Sequence, residues 1–371
     1  MALFFSHIQS TLILLRLNYQ FMKSARIIAP NEPLKVVEIE TPHPKDNQVL
    51  VKVKAVGVCH SDLHLWEGGY DLGDGKFMKV TDRGVKYPVT PGHEIVGTVE
   101  EFGDSVKGFS KGDQVLVYPW IGCGECPACK VNNENLCDAP KSLGVFQDGG
   151  YSEYSLVPHF KYLAKLNGID PESATSLACS GLTAYTAIKK SNQNSPEFLV
   201  IIGAGGLGLM GVQIAKSITK SKIICVDLDD QKLEIAKEMG ADFVMNSKDP
   251  ETSQKIISVC NGKGADSVVD FVNAPATAKM GLAVLRKRGN LVLVGLFGGS
   301  MELSLVTIPL KSITIQGAYT GNYNDMIELL DLARKGTINP MISKRYSLDD
   351  ANSALEDLKA RKIVGRAVIN P

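Results

Sequence analysis

Short apolar runs broken by Gly, Pro and Asp turns fill residues 23–166, among them VLVKVKAVGV, EIVGTVEEFG, DQVLVYP and YSEYSLVP. This texture predicts a strand-rich unit. From Pro171 helix-like stretches alternate with FLVIIGA, KIICVDL, DSVVDFV, NLVLVGL and SITIQGA, at a spacing that suits crossover helices. That rhythm predicts a doubly wound parallel sheet. Beyond about Thr320, helical patterns in MIELLDLARKG and DANSALEDLKARK lead to a last strand, GRAVINP. The fold class is therefore α/β, a β-rich unit beside a parallel-sheet unit.

Residues 1–21 form an apolar stretch interrupted by His7, Gln9 and Arg16. It is too broken for a membrane span of ~20 apolar residues. Its first charge follows most of the apolar run, the reverse of a secretory leader. An extension that is poorly ordered is expected, with KSARIIAP after Met22 as the first strand.

With 371 residues, of which 44% are hydrophobic, the chain suits about two domains of ~150 residues. Forty basic and forty acidic side chains leave no net charge, which argues against a nucleic-acid or anionic-membrane partner. Four of the eight cysteines, Cys123, Cys126, Cys129 and Cys137, are packed into one short segment. Such clustering in a large chain suggests metal thiolates, hence a reducing, cytoplasmic setting.

The run FLVII at 198–202 leads straight into Gly203-Ala-Gly205-Gly206-Leu207-Gly208 and then a helical pattern. Strand, glycine turn and helix make a dinucleotide-binding Rossmann unit. Gly203 permits the tight turn, Gly205 lets backbone approach a pyrophosphate at the helix N-terminus, and Gly208 allows close helix packing. The next strand ends at Asp227, nineteen residues after Gly208, where a carboxylate can accept from ribose hydroxyls. Asp227, Asp229 and Asp230 would repel a 2′-phosphate, so NAD is expected over NADP.

The spacing C-x2-C-x2-C-x7-C can bring four thiolates to the corners of a tetrahedron. Zinc is the expected metal. Four protein ligands leave no open position, so the site should stabilise a loop without catalysing. An iron–sulfur cluster is the competing assignment, but no second cysteine group accompanies it. Cys225 and Cys260 read as packed thiols.

Two further motifs are Gly57-Val-Cys59-His60-Ser61-Asp62-Leu-His64 and, about thirty residues on, Gly92-His93-Glu94-Ile-Val-Gly97. Spacing by itself does not join them. Together with GHEIVGTVEEFGDSV, the cysteine lobe, Cys179 and GAGGLG with Asp227, they make the chain from Met22 to Pro371 resemble the zinc-dependent alcohol dehydrogenases of the medium-chain dehydrogenase/reductase superfamily. The archaeal and bacterial tetrameric type is the most similar in texture.

The resemblance implies a GroES-like catalytic domain, residues 22–178 and 320–371, around a Rossmann domain, residues 179–319. It implies Cys59, His93 and Cys179 as ligands of a catalytic zinc, with Glu94 as an alternative ligand and Asp62 orienting His93. Ser61 would take the alcohol proton and pass it through the nicotinamide ribose toward His64. His60 and Arg366 would lie near the pyrophosphate, and Lys232 and Val294 are further cofactor contacts. The resemblance favours Trp120 as a pocket wall; Trp66 reads equally well as wall or core aromatic.

The implied activity is reversible, NAD-dependent hydride transfer between small primary or secondary alcohols and their aldehydes or ketones, with the alcohol deprotonated at zinc. The alternative is an NAD(P)H-dependent aldehyde or semialdehyde reductase, for example of succinate semialdehyde, using the same site. A non-catalytic nucleotide-binding protein would not need both metal motifs. Two zinc ions per chain, a small-molecule substrate and a homotetramer are expected, with no nucleic-acid or membrane partner.

Overall fold

The computed structural model of the chain describes residues 21–371. The expected N-terminal extension lies outside them except for Phe21, which opens the first strand, Phe21–Arg26, two residues before the predicted KSARIIAP. Among the described residues no helix is long and apolar enough to cross a membrane.

The first unit is built on the strand Val49–Val58, whose buried valines alternate with the exposed Lys52 and Lys54 before turning wholly inward. It pairs antiparallel with Glu94–Phe102 and, at its first residues, with Tyr154–Val157. Gln114–Val117 and Leu163–Lys165 extend this sheet on one side. On the other, the C-terminal strand Arg366–Asn370 pairs with Val56, Gly57 and Val58. The end of the chain thus returns to the strand that precedes Cys59.

One further strand, Ile342–Ser347, lies parallel to Arg366–Asn370. The helix-rich reading beyond Thr320 missed it. Its residues, ISKRYS, are half-buried in alternation and include no long apolar run, so the strand signal is weak.

The second unit is a six-stranded sheet in the order Phe243–Asn246, Lys222–Asp227, Phe198–Ile202, Ala265–Asp270, Leu285–Leu293, Thr314–Gly317. Every neighbouring pair is parallel. Phe198–Ile202 is central and buried throughout, which is why it reads as continuous apolar sequence instead of alternating. The order reverses at this strand, so its C-terminal end opens into the crevice where such folds bind ligands.

The helix Ser180–Ser191 packs against Gly206–Ile218 and joins the two units. One hydrophobic cluster runs through both, from Val51 and Val96 to Leu199 and Val212. Burying each such side chain contributes about 1.5–3 kcal/mol to holding the two units together.

Candidate active site and metal centres

The strand Val49–Val58 delivers Cys59 to the start of the helix His60–Glu67. Asp62, in the first turn, reaches back and accepts from the Cys59 backbone N–H at 2.9 Å. Its other oxygen accepts from Gly92 N–H at 3.0 Å and lies 3.3 Å from Nδ1 of His93. The Tyr151 hydroxyl adds a donor at 3.4 Å. Asp62 therefore binds both ligand-bearing loops together while wholly shielded from solvent.

Gly92 makes this possible. Its φ of 88° lies in the left-handed region, and a Cβ there would stand 2.3 Å from the Tyr151 ring. Cys179 arrives from a third segment, immediately before the helix Ser180–Ser191.

The ligand atoms of Cys59, His93, Glu94 and Cys179 all lie within 4.8 Å of one another, and all four residues are buried. The two sulfurs are 3.9 Å apart, close to the ~3.8 Å edge of a tetrahedron with zinc–sulfur bonds of about 2.3 Å. Nδ1 of His93 lies 3.3 Å from Asp62, and both ring nitrogens are buried without a well-formed hydrogen bond. A buried imidazole nitrogen with nothing to bond is costly unless an ion takes it, so the donor set fits a metal. The Cys179 thiol, with help from Arg366 and His93, outweighs burial and holds the Cys59 thiol well below its ordinary pKa. The same contact, with burial, pushes Cys179 up.

Arg366 donates from Nε to Glu94 at 2.8 Å and from a second nitrogen to the other carboxylate oxygen. Burial raises the Glu94 pKa in spite of that partner. Arg366 was expected over the pyrophosphate. Its guanidinium is engaged by Glu94 and also borders Gly206 at the helix N-terminus.

The second cluster forms around the short helix Pro127–Lys130. Sulfurs of Cys123, Cys126, Cys129 and Cys137 lie 3.5 to 4.0 Å apart where they contact. Cys123 Sγ accepts from the N–H groups of Glu125 and Cys126, and Cys137 Sγ from those of Cys123 and Ala139. Backbone donors aimed at sulfur favour thiolates, and the tetrahedral spacing fits zinc. Gly122 is required beside it, because a Cβ would come within 2.4 Å of Cys129 Sγ.

In the nucleotide unit Gly203 has φ 94°, and a Cβ on Gly208 would overlap the Gly203 carbonyl at 1.6 Å. Gly205 faces open space, as a backbone that must meet a pyrophosphate should. Gly206 and Leu207 open the helix Gly206–Ile218. Asp227 ends its strand and accepts from the N–H groups of Ala204 at 2.6 Å, Leu228 at 2.7 Å and Asp229 at 3.0 Å. Lys232 lies in the first turn of Asp230–Glu238, and Val294 follows the strand Leu285–Leu293, its N–H bonded to Asp270.

Ser61 and His64 are half-buried on the helix His60–Glu67, and His60 is exposed at its start. Trp120 is buried with its ring 5.3 Å from that of His93, and its Nε1 donates to the Ala178 carbonyl. The structure does not bring Trp66 to the site. Its indole donates to the Glu32 carbonyl at 2.7 Å and its ring lies beneath Lys359. Sequence reasoning missed Tyr70, Tyr151 and Tyr319. Tyr151 follows a double glycine in DGGY, the one local signal that marks a close approach; Tyr70 and Tyr319 stand at ordinary strand and loop positions.

Two metal-ligand clusters, one a half-buried set of four cysteines and one fully buried beside a dinucleotide crevice, define a metal-dependent, dinucleotide-linked dehydrogenase. Comparison with known proteins agrees. Residues 45–168 match the model of the alcohol dehydrogenase GroES-like domain, and residues 206–335 that of the zinc-binding dehydrogenase domain. An NAD-dependent alcohol dehydrogenase of Sulfurisphaera tokodaii is 44% identical, the match covering 94% of this chain and 100% of the relative. One from Saccharolobus solfataricus is 42% identical over the same shares. The crystal structure of an alcohol dehydrogenase from Aeropyrum pernix superposes with a TM-score of 0.85 at 32% identity, covering 94% of this chain and all of that one. The chain belongs to the zinc-type alcohol dehydrogenase family of medium-chain dehydrogenases/reductases.

Proposed function

We propose that this chain is a zinc-dependent, NAD(H)-linked alcohol dehydrogenase that interconverts small primary or secondary alcohols with their aldehydes or ketones. The observation that carries the proposal is the buried convergence of Cys59, His93 and Cys179 from three separate segments. Relatives at 44% and 42% identity carry the name NAD-dependent alcohol dehydrogenase.

Cys59, His93 and Cys179 hold the catalytic zinc, and Glu94, steadied by Arg366, is the reserve ligand. Zinc bound there supplies Lewis acidity, the property that lowers the pKa of water on such an ion from 15.7 to ~7. Asp62 fixes the tautomer and angle of His93. Ser61 accepts the substrate proton and His64 passes it outward. Burial, then the charge of His60, lowers the His64 pKa, so its ring is neutral at pH 7 and free to accept.

NAD supplies the hydride acceptor in oxidation and, when reduced, the donor in reduction. Gly203, Gly205, Gly206, Leu207 and Gly208 cradle its pyrophosphate; His60, Lys232, Val294 and Arg366 complete its surroundings. Asp227 takes the ribose hydroxyls. Cys123, Cys126, Cys129 and Cys137 hold the structural zinc, and Trp120 walls the pocket.

In this reading residues 22–178 and 320–371 form the catalytic domain and 179–319 the dinucleotide domain. The protein works as a cytoplasmic homotetramer. Support comes from eight free cysteines and from the outermost strand Thr314–Gly317, beside which Leu305, Val306 and Leu310 are exposed.

The test is metal analysis with turnover of an alcohol and aldehyde panel, followed by NADH and NADPH absorbance. Two zinc ions per chain and NADH-linked turnover are expected. Replacing His93 with Ala should leave one zinc and no turnover; a folded variant that still turns over would refute the assignment.

A further inference from the structure

Tyr70 follows the helix that carries Ser61 and His64, and its ring lies 4.8 Å from the His64 imidazole. Burial raises its hydroxyl pKa most, Tyr319 and Cys59 add to the rise, and the Arg83 guanidinium, hydrogen-bonded to the hydroxyl, works against it. Tyr319 packs edge-on against Trp120 at 6.0 Å, and Trp120 reaches His93. Trp120 and Tyr319 thus line one side outward from His93, and Tyr70 lines the side that carries His64.

The Tyr70 side carries a charge. The Arg83 guanidinium stands over the Tyr70 ring, 5.8 Å from its centre. Arg83 is exposed at the end of the turn Val80–Arg83, and among the described residues it forms no ion pair. Residues 76–86 carry Lys76, Lys79, Arg83 and Lys86 against one acid, Asp82.

The two acids of the hairpin formed by Gly69–Gly73 and Lys76–Lys79 are occupied elsewhere. Asp71 accepts from Gly73 N–H at 2.8 Å, and Asp74 from the Ser300 hydroxyl at 3.0 Å. The Ser300 bond, with Gly299 N–H donating to the Asp71 carbonyl at 3.2 Å, fastens the hairpin to the nucleotide unit. Arg83 is thus a cation that rests on Tyr70, with no acid paired to it among the described residues, on an anchored rim.

From this geometry we propose that Arg83 determines specificity, binding the carboxylate at the far end of an aldehyde whose carbonyl is reduced beside Cys59, His93 and Cys179. The proposal rests on the dehydrogenase reading and narrows its substrate class to aldehydes that carry a remote carboxylate. The planar guanidinium matches a carboxylate with two parallel N–H donors, and the aromatic rings suit the carbon chain between the two ends. The reaction balances without another reagent. The aldehyde carbon gains the hydride that NADH gives up, its oxygen gains one proton from the Ser61 side, NAD+ departs and the carboxylate is unchanged.

The holoenzyme is assayed with succinate semialdehyde and with butanal, a neutral aldehyde of the same chain length. The ratio of kcat/KM, charged over neutral, should exceed one in the natural protein. Arg83→Ala should lower that ratio roughly ten- to a hundredfold, the range for a hydrogen bond to a charged group. The loss should fall on KM, and Arg83→Lys should restore part of it. Tryptophan fluorescence titration with succinate, which is not reduced, should show affinity falling in the same variant. A ratio at or below one, or a ratio unmoved by Arg83→Ala while butanal is still reduced, overturns the Arg83 assignment alone. Failure to reduce either aldehyde overturns the dehydrogenase reading with it.

Discussion

Asp62 stands 3.3 Å from Nδ1 of His93, and neither side chain is exposed to solvent. The carboxylate also accepts from the N–H groups of Cys59 and Gly92, so one side chain fixes the spacing of two metal-ligand loops. A carboxylate so placed holds the imidazole with Nδ1 protonated and leaves Nε2 for the metal.

Replacing Asp62 with Asn should therefore weaken zinc at the catalytic cluster by roughly 10–100-fold, the usual cost of losing such a supporting partner. Chelator competition, read as zinc retained per chain, measures this. Retention equal to that of the natural protein would show that Asp62 serves the backbone only.

Cys126→Ser should act on stability before chemistry. The cluster closes the loop between Cys123 and Cys137, and the loop also grips the segment leading to the helix Tyr323–Arg334: Asn135 donates to the Tyr319 carbonyl and Asn322 to Asn133. A loss of about 2–3 kcal/mol would lower Tm by roughly 3–4 °C for a chain of this size. Calorimetry alongside zinc content checks it; an unchanged Tm with one zinc lost would contradict the structural role.

Glu134 supplies a pH dependence to the same lobe. Burial disfavours its charge, but Lys161, the Tyr162 hydroxyl and Gly122 N–H together outweigh that and hold its carboxyl below the ordinary range. A depressed folded pKa stabilises the protein above the unfolded carboxyl pKa, and the contribution fades as pH falls through the folded value. Glu134→Gln should lower Tm at pH 7 and narrow its gap to the natural protein as the solution is taken below about pH 4. A gap constant across that range would count against the charge.

Asp227 should decide between the two nicotinamide cofactors. Its carboxylate is held by three backbone N–H groups at the end of the strand Lys222–Asp227, where a 2′-phosphate would meet it. Asp227→Ser should reduce the NADH over NADPH preference by about tenfold or more, since a fixed like charge near a phosphate costs on the order of 1.4 kcal/mol or above. Steady-state kinetics with both cofactors decides; an unaltered ratio would place the discrimination elsewhere.

Both kinds of sheet were legible in the sequence because burial periodicity is local. VLVKVKAVGV could only be a strand with one face inward, and FLVII before a glycine turn only a central strand of a parallel sheet. The cysteine lobe was equally legible, since its four ligands are near neighbours. ISKRYS escaped because its half-exposed alternation carries little apolar signal.

What tertiary structure alone decided are the contacts between distant segments. Cys59, His93 and Cys179 are far apart in the chain, and a resemblance had to suggest what spacing could not. The two tryptophans parted company: Trp120 turned toward His93, while Trp66, on the same helix as Ser61, turned toward Glu32 and Lys359. Arg366 met Glu94 because its strand pairs with Val56–Val58, a register set by the whole sheet. Hydrophobic period and turn residues act over a few positions and are written in the chain. Which side chains converge depends on how complete sheets pack, and that is fixed only when the core closes.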